Sequence, residues 1–185
     1  MQIRRRLFIV LTVALTAILP SAGQEKASAP RQHARMAFKD GDVVRVEYGA
    51  LSSASRGPHA QPSDGRVWCP GSGKATILHT AATLDIADLP LPPGQYTLYV
   101  EPSQDEWILI ISKRVGQRAS YYPEGWDVAR ITMNKRELPT AVPALKFSLQ
   151  PDGPKGGSLK LVFGKTEAWV DFHEMPRGSG MEDAS

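Results

Sequence analysis

The chain has 185 residues, a length that suits one domain with a hydrophobic core of its own. Its formal net charge is +3, and the arginines at positions 4, 5 and 6 account for all of that excess. The rest of the chain is balanced in charge, which argues against the basic surface that a nucleic-acid partner requires. Cys69 is the single cysteine, so an internal disulfide is excluded and we expect a small, partly buried residue there.

The amino-terminal residues have the three parts of a secretory signal peptide. Basic residues Arg4–Arg6 precede the apolar run Leu7–Leu19, and the small residues Ser21-Ala22-Gly23 follow it. A membrane anchor is the alternative, but the run ends at Pro20 and falls short of the roughly 20 apolar residues that a spanning helix needs. We therefore expect cleavage near Gly23, export to the periplasm or the extracellular space, and no transmembrane segment in the mature chain.

Polar segments flank the predicted domain on both sides. Residues 24–35 lack apolar periodicity and are predicted to be a flexible leader. Residues 175–185 carry proline, glycine and scattered charge and are predicted to be a disordered tail. A single domain is expected to occupy residues 36–174.

The first half of this domain is rich in strand signals. Asp40-Gly41 lies between the apolar stretches 36–38 and 43–48, which is a strong hairpin signal. Residues 49–66 form a long irregular loop, and further strands are predicted over 74–80 and 83–86.

A central hairpin follows, and it has the clearest pattern in the chain. Residues 95–101 place Tyr96, Leu98 and Val100 on alternate positions, and 107–111 supply a second apolar run after the polar turn 103–106.

The second half returns to short alternating runs after the irregular segment 113–126. The predicted strands are 127–134, 145–149, 158–163 and 167–173, with Trp107 and Trp169 assigned to the core. About ten short strands with regular turns predict an all-β antiparallel sandwich, for which a jelly roll is one arrangement.

Catalytic and metal-binding patterns are missing from the sequence. The four histidines show no HxxxH or HxH spacing, no GxSxG is present, and Gly71–Lys74 matches neither phosphate-loop pattern. Asp171 and His173 lie two apart on one predicted strand face, and a metal would need a third ligand from elsewhere. The sequence therefore predicts no catalytic residue, no metal and no cofactor.

A ligand-binding function requires fewer specific residues than catalysis does. Two irregular segments contain aromatic and cationic residues that the predicted core does not use. These segments are 49–68 and 113–126, and they form one site if both lie at the same end of the sandwich. The candidate binding residues are Arg56, Arg66, Trp68, Lys74, Tyr121, Tyr122 and Trp126.

Several segments in chain order resemble the exported bacterial family known as domain of unknown function 2911. They are Val67-Trp68 with Gly71 and Ala75-Thr76, then LPPGQYTLYVEP at 91–102, WILIISK at 107–113 and DVAR at 127–130. The resemblance covers roughly residues 35–174 and implies a single exported β-sandwich without an established activity.

The chain departs from the family pattern in one loop. Members usually carry Arg-Thr-Gly-Ala-Asn-Glu where this chain has CPGSGK at 69–74, so any family site in that loop is lost or changed here. The residues that match the pattern are Tyr48, Trp68, Tyr122, Asp127 and Arg130. A buried Asp127–Arg130 pair would explain both charges without a ligand.

Three classes of function remain open at this stage. A non-catalytic module of the cell envelope that binds a small molecule, a glycan or an envelope protein needs the fewest assumptions. A hydrolase-like enzyme with an unrecognised site and a structural or assembly component that uses an exposed edge strand are the alternatives.

Overall fold

The computed structural model of the chain describes residues 30–57 and 59–176. The predicted signal peptide, most of the predicted leader and residues 177–185 of the predicted tail lie outside these ranges. Within them, no helix has the length and apolar composition that crossing a membrane requires.

The described chain forms nine strands joined in one antiparallel sheet. The strands are β1 (Arg31–Ala37), β2 (Val43–Gly49), β3 (Ile77–Thr80), β4 (Leu84–Ile86), β5 (Leu89–Leu91), β6 (Gly94–Pro102), β7 (Trp107–Ser112), β8 (Asp127–Asp152) and β9 (Gly156–Glu174). Their order in the sheet is β1-β2-β3-β6-β7-β8-β9-β4-β5. The predicted all-β antiparallel fold is confirmed.

The two hairpins with the strongest local signals form in the predicted places. Between β1 and β2 the backbone reverses at Gly41, whose φ of 98° is accessible to glycine at little cost. Between β6 and β7 the pairing runs up to Pro102 opposite Trp107, and Ser103 caps the turn by bonding Glu106.

The long strands β8 and β9 replace four of the short strands expected from the sequence. β8 pairs with β7 through Met133 and with β9 from Asn134 onward, so it runs through the middle of the sheet. Its pairing with β9 is irregular between Glu137 and Lys146, the stretch that contains two prolines. Proline cannot donate a ladder hydrogen bond, so an irregular, bent stretch of a pair is where it is tolerated.

The sheet folds over on itself, so that its two halves enclose a common core. Strands β1, β2, β3, β6 and β7 form one layer, and β9, β4 and β5 form the other. β8 belongs to both layers, because its first part pairs with β7 and its second part pairs with β9. Aromatic rings meet across the core in three pairs, with centroid distances of 6.2, 5.0 and 5.3 Å: Phe38 with Phe172, Tyr48 with Phe147, and Trp68 with Phe163.

Two details of the sequence prediction were wrong. β1 begins at Arg31, inside the predicted leader. The sequence analysis missed this strand because its inward residues Ala34 and Met36 alternate with outward polar residues. Trp169 lies on the outer face, where Arg136 and Lys160 each approach its ring at 6.0 Å.

Candidate functional site

The residues proposed from the sequence as one binding site do not gather at one end. Trp68 is buried in the core, and its Nε1 donates a 3.1 Å hydrogen bond to the carbonyl of His59. Arg66 follows Gly65, whose N–H bonds Pro102 at the turn end of the β6–β7 hairpin. Trp126 instead pairs by its backbone with Lys113, just beyond the opposite end of β7. The two ends of this hairpin are roughly 20 Å apart, since a strand advances about 3.4 Å per residue.

Arg56 belongs to a third region of the surface. Its guanidinium bonds the carbonyls of Ala54 and Ser55 in its own loop. That loop is attached to β8, because the N–H of Ser53 donates to Pro143. Arg56 therefore lies apart from the aromatic residues of segment 113–126.

Lys74, Tyr121 and Tyr122 do come together, on the outer face of the first layer. Segment 69–75 and segment 113–122 are joined by two backbone hydrogen bonds of 3.0 Å, from Ala75 to Gln117 and from Ala119 to Gly73. The side chains of Lys74 and Tyr121 remain exposed there.

A second, smaller core lies beneath these two segments. Cys69, Ala75, Tyr99 and Ile110 are its buried members, and the Tyr122 ring packs edge-on against Tyr99 at 5.0 Å. Burial raises the pKa of the Cys69 thiol to about 12, so the thiol is neutral and poorly suited to act as a nucleophile. The burial that the sequence predicted for this cysteine is thus more complete than expected.

A polar network closes this small core at its edge. Tyr122 donates a 2.5 Å hydrogen bond to Asp127, and Arg130 bonds the same carboxylate oxygen at 3.0 Å and reaches Glu101 on β6. Burial, helped by the hydrogen bond to Asp127, raises the pKa of Tyr122 to about 12. The Arg130 side chain is 43% exposed, so the Asp–Arg pair expected from the sequence exists but lies at the surface. Each member is engaged within the protein, which makes the network a structural tie between segment 113–126 and the sheet.

The glycine-rich stretch after Trp68 is structural in the same way. A Cβ on Gly49 would lie 1.9 Å from the carbonyl oxygen of Ser72, so the two backbones touch. The guanidinium of Arg31 bonds the carbonyls of Lys74 and Ala75 and fixes the stretch to β1. These backbone contacts account for the small residues without a bound phosphate.

An apolar pocket of about 220 Å³ opens between the inner side of β6–β8 and the β4–β5 hairpin. Its lining is aliphatic or aromatic apart from Lys113, and it includes Leu89, Leu91, Tyr96, Ile111, Val128, Ala129 and Ile131. The Tyr96 hydroxyl is already engaged, since it donates a 2.8 Å hydrogen bond to the carbonyl of Pro92. The pocket can therefore hold an apolar group and present one cation to it.

A β-bulge shapes one wall of this pocket. Ile111 pairs with Ala129 and Ser112 with Asp127, so Val128 is an extra residue in β8. A bulge re-aims the side chains around the inserted residue, and here Val128 and Ala129 both line the pocket.

The β4–β5 hairpin forms the opposite wall. Its two-residue turn, Ala87-Asp88, has φ values of 54° and 62°, as the tightest hairpins require. Alanine in this region costs about 1–2 kcal/mol. This tight reversal places Leu89 directly opposite Ile86, and both residues line the pocket.

Exposed apolar side chains are concentrated near the pocket mouth. Leu89 is 40% exposed and Val128 is 38% exposed, although both line the pocket. Trp126, 46% exposed, is bonded through its backbone to Lys113, and Arg114 stacks over its ring at 5.4 Å. Exposed apolar side chains at the mouth of a cavity are typical of binding sites.

One acidic cluster lies elsewhere, at the turn between β1 and β2. The carboxylate oxygens of Asp40, Asp42 and Glu174 lie within 4.8 Å of one another. Burial, together with a hydrogen bond to Asp40, raises the pKa of Glu174. The partners that the sequence suggested for a metal near the end of β9, Asp171 and His173, are instead exposed on the other face of the strand.

Sequence reasoning missed the pocket, and the reason is local. Residues 87–91 were interpreted as a connection that leads into the central hairpin. The alternating pattern through Val128 does not indicate a bulge. The exposure of the apolar side chains of Leu89 and Val128 marks the site, and it is visible only in the folded structure.

The described residues thus form a small all-β domain with an apolar cavity between its β4–β5 hairpin and the sheet. The family model described as "Protein of unknown function (DUF2911)" matches residues 29–172. This chain belongs to that family, as the resemblance in its sequence indicated. No curated protein and no solved structure matches it.

Proposed function

We propose that this protein is a non-catalytic binding module, and that its apolar pocket takes a small amphipathic anion. The observation that carries the proposal is the pocket of about 220 Å³, in which Lys113 is the one charged residue among the described residues of the lining. An aliphatic lining favours an apolar body, and an ammonium at the mouth favours a carboxylate or a similar anionic group.

The size of the pocket limits the ligand. A dry apolar cavity of roughly 150 Å³ holds benzene, whereas drug-sized ligands occupy roughly 300–1,000 Å³. At about 220 Å³ this pocket suits a single ring or a short alkyl chain. The partly exposed Leu89 and Val128 become covered when such a group enters, which supplies the hydrophobic driving force.

The position of the pocket in the sequence supports the same conclusion. Three of the four segments that carry the family resemblance contribute to its lining, and the segment at 67–76 does not. The contributing residues are Leu91, Pro92 and Tyr96 from 91–102, Ile111 and Lys113 from 107–113, and Val128 and Ala129 from 127–130. The departing loop 69–74 contributes none of the residues that line it. A pocket-based function is therefore compatible with the altered loop.

The lining also argues against hydrolysis as the activity. General acid–base or nucleophilic catalysis needs a nucleophile, a base or paired acids within reach of the ligand. Among the described residues around this pocket, Tyr96 and Lys113 are the polar ones, and Tyr96 is bonded to Pro92.

The environment we propose for the protein, the periplasm or extracellular space, depends on the signal pattern at residues 4–23.

A second candidate is glycan binding on segment 113–126. Tyr121 is 57% exposed and Trp126 is 46% exposed, which leaves two rings for sugar stacking. Saturable glycan binding that Tyr121→Ala and Trp126→Ala abolish, together with no saturable octanoate binding to the native protein, would favour this candidate over the pocket.

Titration with octanoate, followed by isothermal calorimetry and by NMR of the pocket methyl groups, tests the main proposal. We expect saturable binding, and a Lys113→Gln variant should weaken it about two- to fivefold, the effect of one exposed ion pair. Octanol should bind the native protein and the variant equally. Lys165→Gln, at a 58% exposed side chain on the β8–β9 hairpin, is the matched control.

Filling the pocket gives the decisive variant. Ala129→Phe should abolish octanoate binding, whereas Ala141→Phe, at an exposed position of β8, should not. Circular dichroism and melting temperature check that both variants are folded. Unchanged octanoate affinity in a folded Ala129→Phe protein would remove the pocket from the proposal.

A further inference from the structure

A row of hydrogen-bond donors crosses four adjacent strands on the outer face of the first layer. Arg35 on β1 lies directly opposite Arg45 on β2, Arg45 lies opposite His79 on β3, and His79 lies opposite Gln95 on β6. These side chains line an open groove of about 700 Å³. Since neighbouring strands are about 4.8 Å apart, the row is roughly 14 Å long.

The charges in this row are poorly balanced by the protein itself. Arg35 and Arg45 are directly opposed across the strands, and like charges in that position destabilise a sheet. Arg45 bonds Glu47 at 2.9 Å, but Glu47 also faces Arg31 at 4.0 Å. Arg35 makes no hydrogen bond or ion pair with any residue in the described part of the chain. Arg31 and Arg45 thus share one carboxylate, and Arg35 has none among the described residues.

His79 contributes an unsatisfied group to the same row. Its Nε2 is buried, has no hydrogen-bond partner and lies 3.8 Å from the nearest oxygen of Glu47. Burial and the neighbouring Arg45 lower the pKa of His79, so the ring is neutral at neutral pH. A buried polar nitrogen without a partner is uncommon and costs free energy until a ligand or water satisfies it.

We propose that this row binds an oxyanion, a phosphate or a sulfate, with Arg35 and Arg45 as its principal ligands and His79 and Gln95 as neighbouring donors. Guanidinium groups present planar pairs of N–H donors that match the oxygens of these anions. An anion between Arg35 and Arg45 relieves their repulsion. The site is separate from the apolar pocket, because the two cavities share no lining residue.

The bound oxyanion can be a free ion or one group of a phosphate-bearing polymer. Because the row is longer than a single phosphate, the two ligands are expected to contact different numbers of its residues. Inorganic phosphate occupies one position between the arginines. A linear polyphosphate can also reach His79 and Gln95 along the groove. Tighter binding of polyphosphate, per phosphate group, would identify a polymer ligand, and equal binding would identify the free ion.

Isothermal calorimetry with inorganic phosphate at low ionic strength tests the site. We expect saturable binding that Arg35→Gln weakens about tenfold, a loss of roughly 1.4 kcal/mol. Arg35→Lys should bind less tightly than the native protein, because it keeps the charge but loses the paired donors. Arg35 has no partner to lose in the described part of the chain, so neither variant should melt below the native protein. Arg35→Gln removes the repulsion with Arg45 and should melt at the native temperature or slightly above it.

Lys146→Gln is the control, because it removes the same charge from an exposed position on the outer face of β8. It should leave phosphate affinity within twofold of the native value. An equal loss in Lys146→Gln and Arg35→Gln, or no saturable phosphate binding at all, would overturn the proposal. Octanoate binding should be unchanged in Arg35→Gln, so this test and that of the apolar pocket fail independently.

Discussion

The hydroxyl of Tyr99 gives a sharp test of how segment 113–126 is held on the sheet. Tyr99 is 1% exposed, and its hydroxyl donates a 3.0 Å hydrogen bond to the carbonyl of Tyr121. The same hydroxyl accepts a 2.6 Å hydrogen bond from Gln117. Burial raises the pKa of Tyr99, so the hydroxyl stays neutral and able to donate. Tyr99→Phe removes both bonds and keeps the ring.

The size of the effect follows from what each partner retains. Gln117 Nε2 keeps acceptors at 3.1 and 3.0 Å in Thr97 and Arg114, so its loss is small. The carbonyl of Tyr121 loses its donor, and this bond is partly buried. A fully buried polar group left unpaired costs about 1–3 kcal/mol, so the loss here falls in the lower part of that range. We expect Tyr99→Phe to lower the free energy of unfolding by about 1–2 kcal/mol, because the ring contact with Tyr122 remains.

Urea unfolding followed by tryptophan fluorescence measures this loss, with an unchanged m-value as the sign that the unfolded state is the same. Tyr121→Phe is the matched control: its side chain is 57% exposed, and we expect a change within about 0.5 kcal/mol. A double-mutant cycle with Gln117→Ala should give a coupling free energy of at least about 0.5 kcal/mol. If Tyr99→Phe is as stable as Tyr121→Phe, the hydroxyl does not anchor the segment.

Three further predictions concern single positions. Trp68→Ala should cost about 3–5 kcal/mol in unfolding free energy, because the ring packs on Phe163 in the core; a loss below 1 kcal/mol would contradict that burial. Cys69→Ser should keep the fold, and iodoacetamide should label Cys69 only in denaturant; rapid labelling of the native protein would show that the thiol is accessible. Glu174→Gln should stabilise the protein at neutral pH. Because the pKa of Glu174 is raised on folding, this group stabilises the folded state fully below the ordinary value of 4.5, and the stabilisation is lost as pH rises through the folded-state pKa. The melting temperatures of the native protein and the variant should therefore converge in acid and diverge towards pH 7.

The elements that the sequence predicts well are those specified by neighbouring residues. The turn at Asp40-Gly41 and the hairpin around residues 103–106 depend on four to six consecutive residues, and both form as expected. Trp169 was assigned wrongly although the pattern contained the answer. Ala168, Val170 and Phe172 form the apolar phase of the strand, which sets Trp169 on the other face.

The long strands and the pocket depend on partners distant in sequence. Gly164 was predicted to end a strand, but pairing with β8 carries β9 through it. The extra residue at Val128 becomes visible only when β8 is aligned with β7. Register between strands is a property of the pair, so a single strand read in isolation cannot reveal a bulge or the cavity that the bulge borders.

The loop at 69–74 lies on the outer face of the first layer, and the apolar pocket lies on its inner face. The carboxyl-terminal part of that loop is held by its backbone: Arg31 bonds the carbonyl of Lys74, and Gly73 accepts from Ala119. Such contacts are indifferent to the side chain of Lys74, which is exposed. The pocket, by contrast, lies on the inner side of the sheet and is formed by side chains such as Ile111 and Ala129, so substitutions there change its shape directly. Function that resides in the pocket therefore survives changes in this loop, whereas function that resides in the loop's side chains does not.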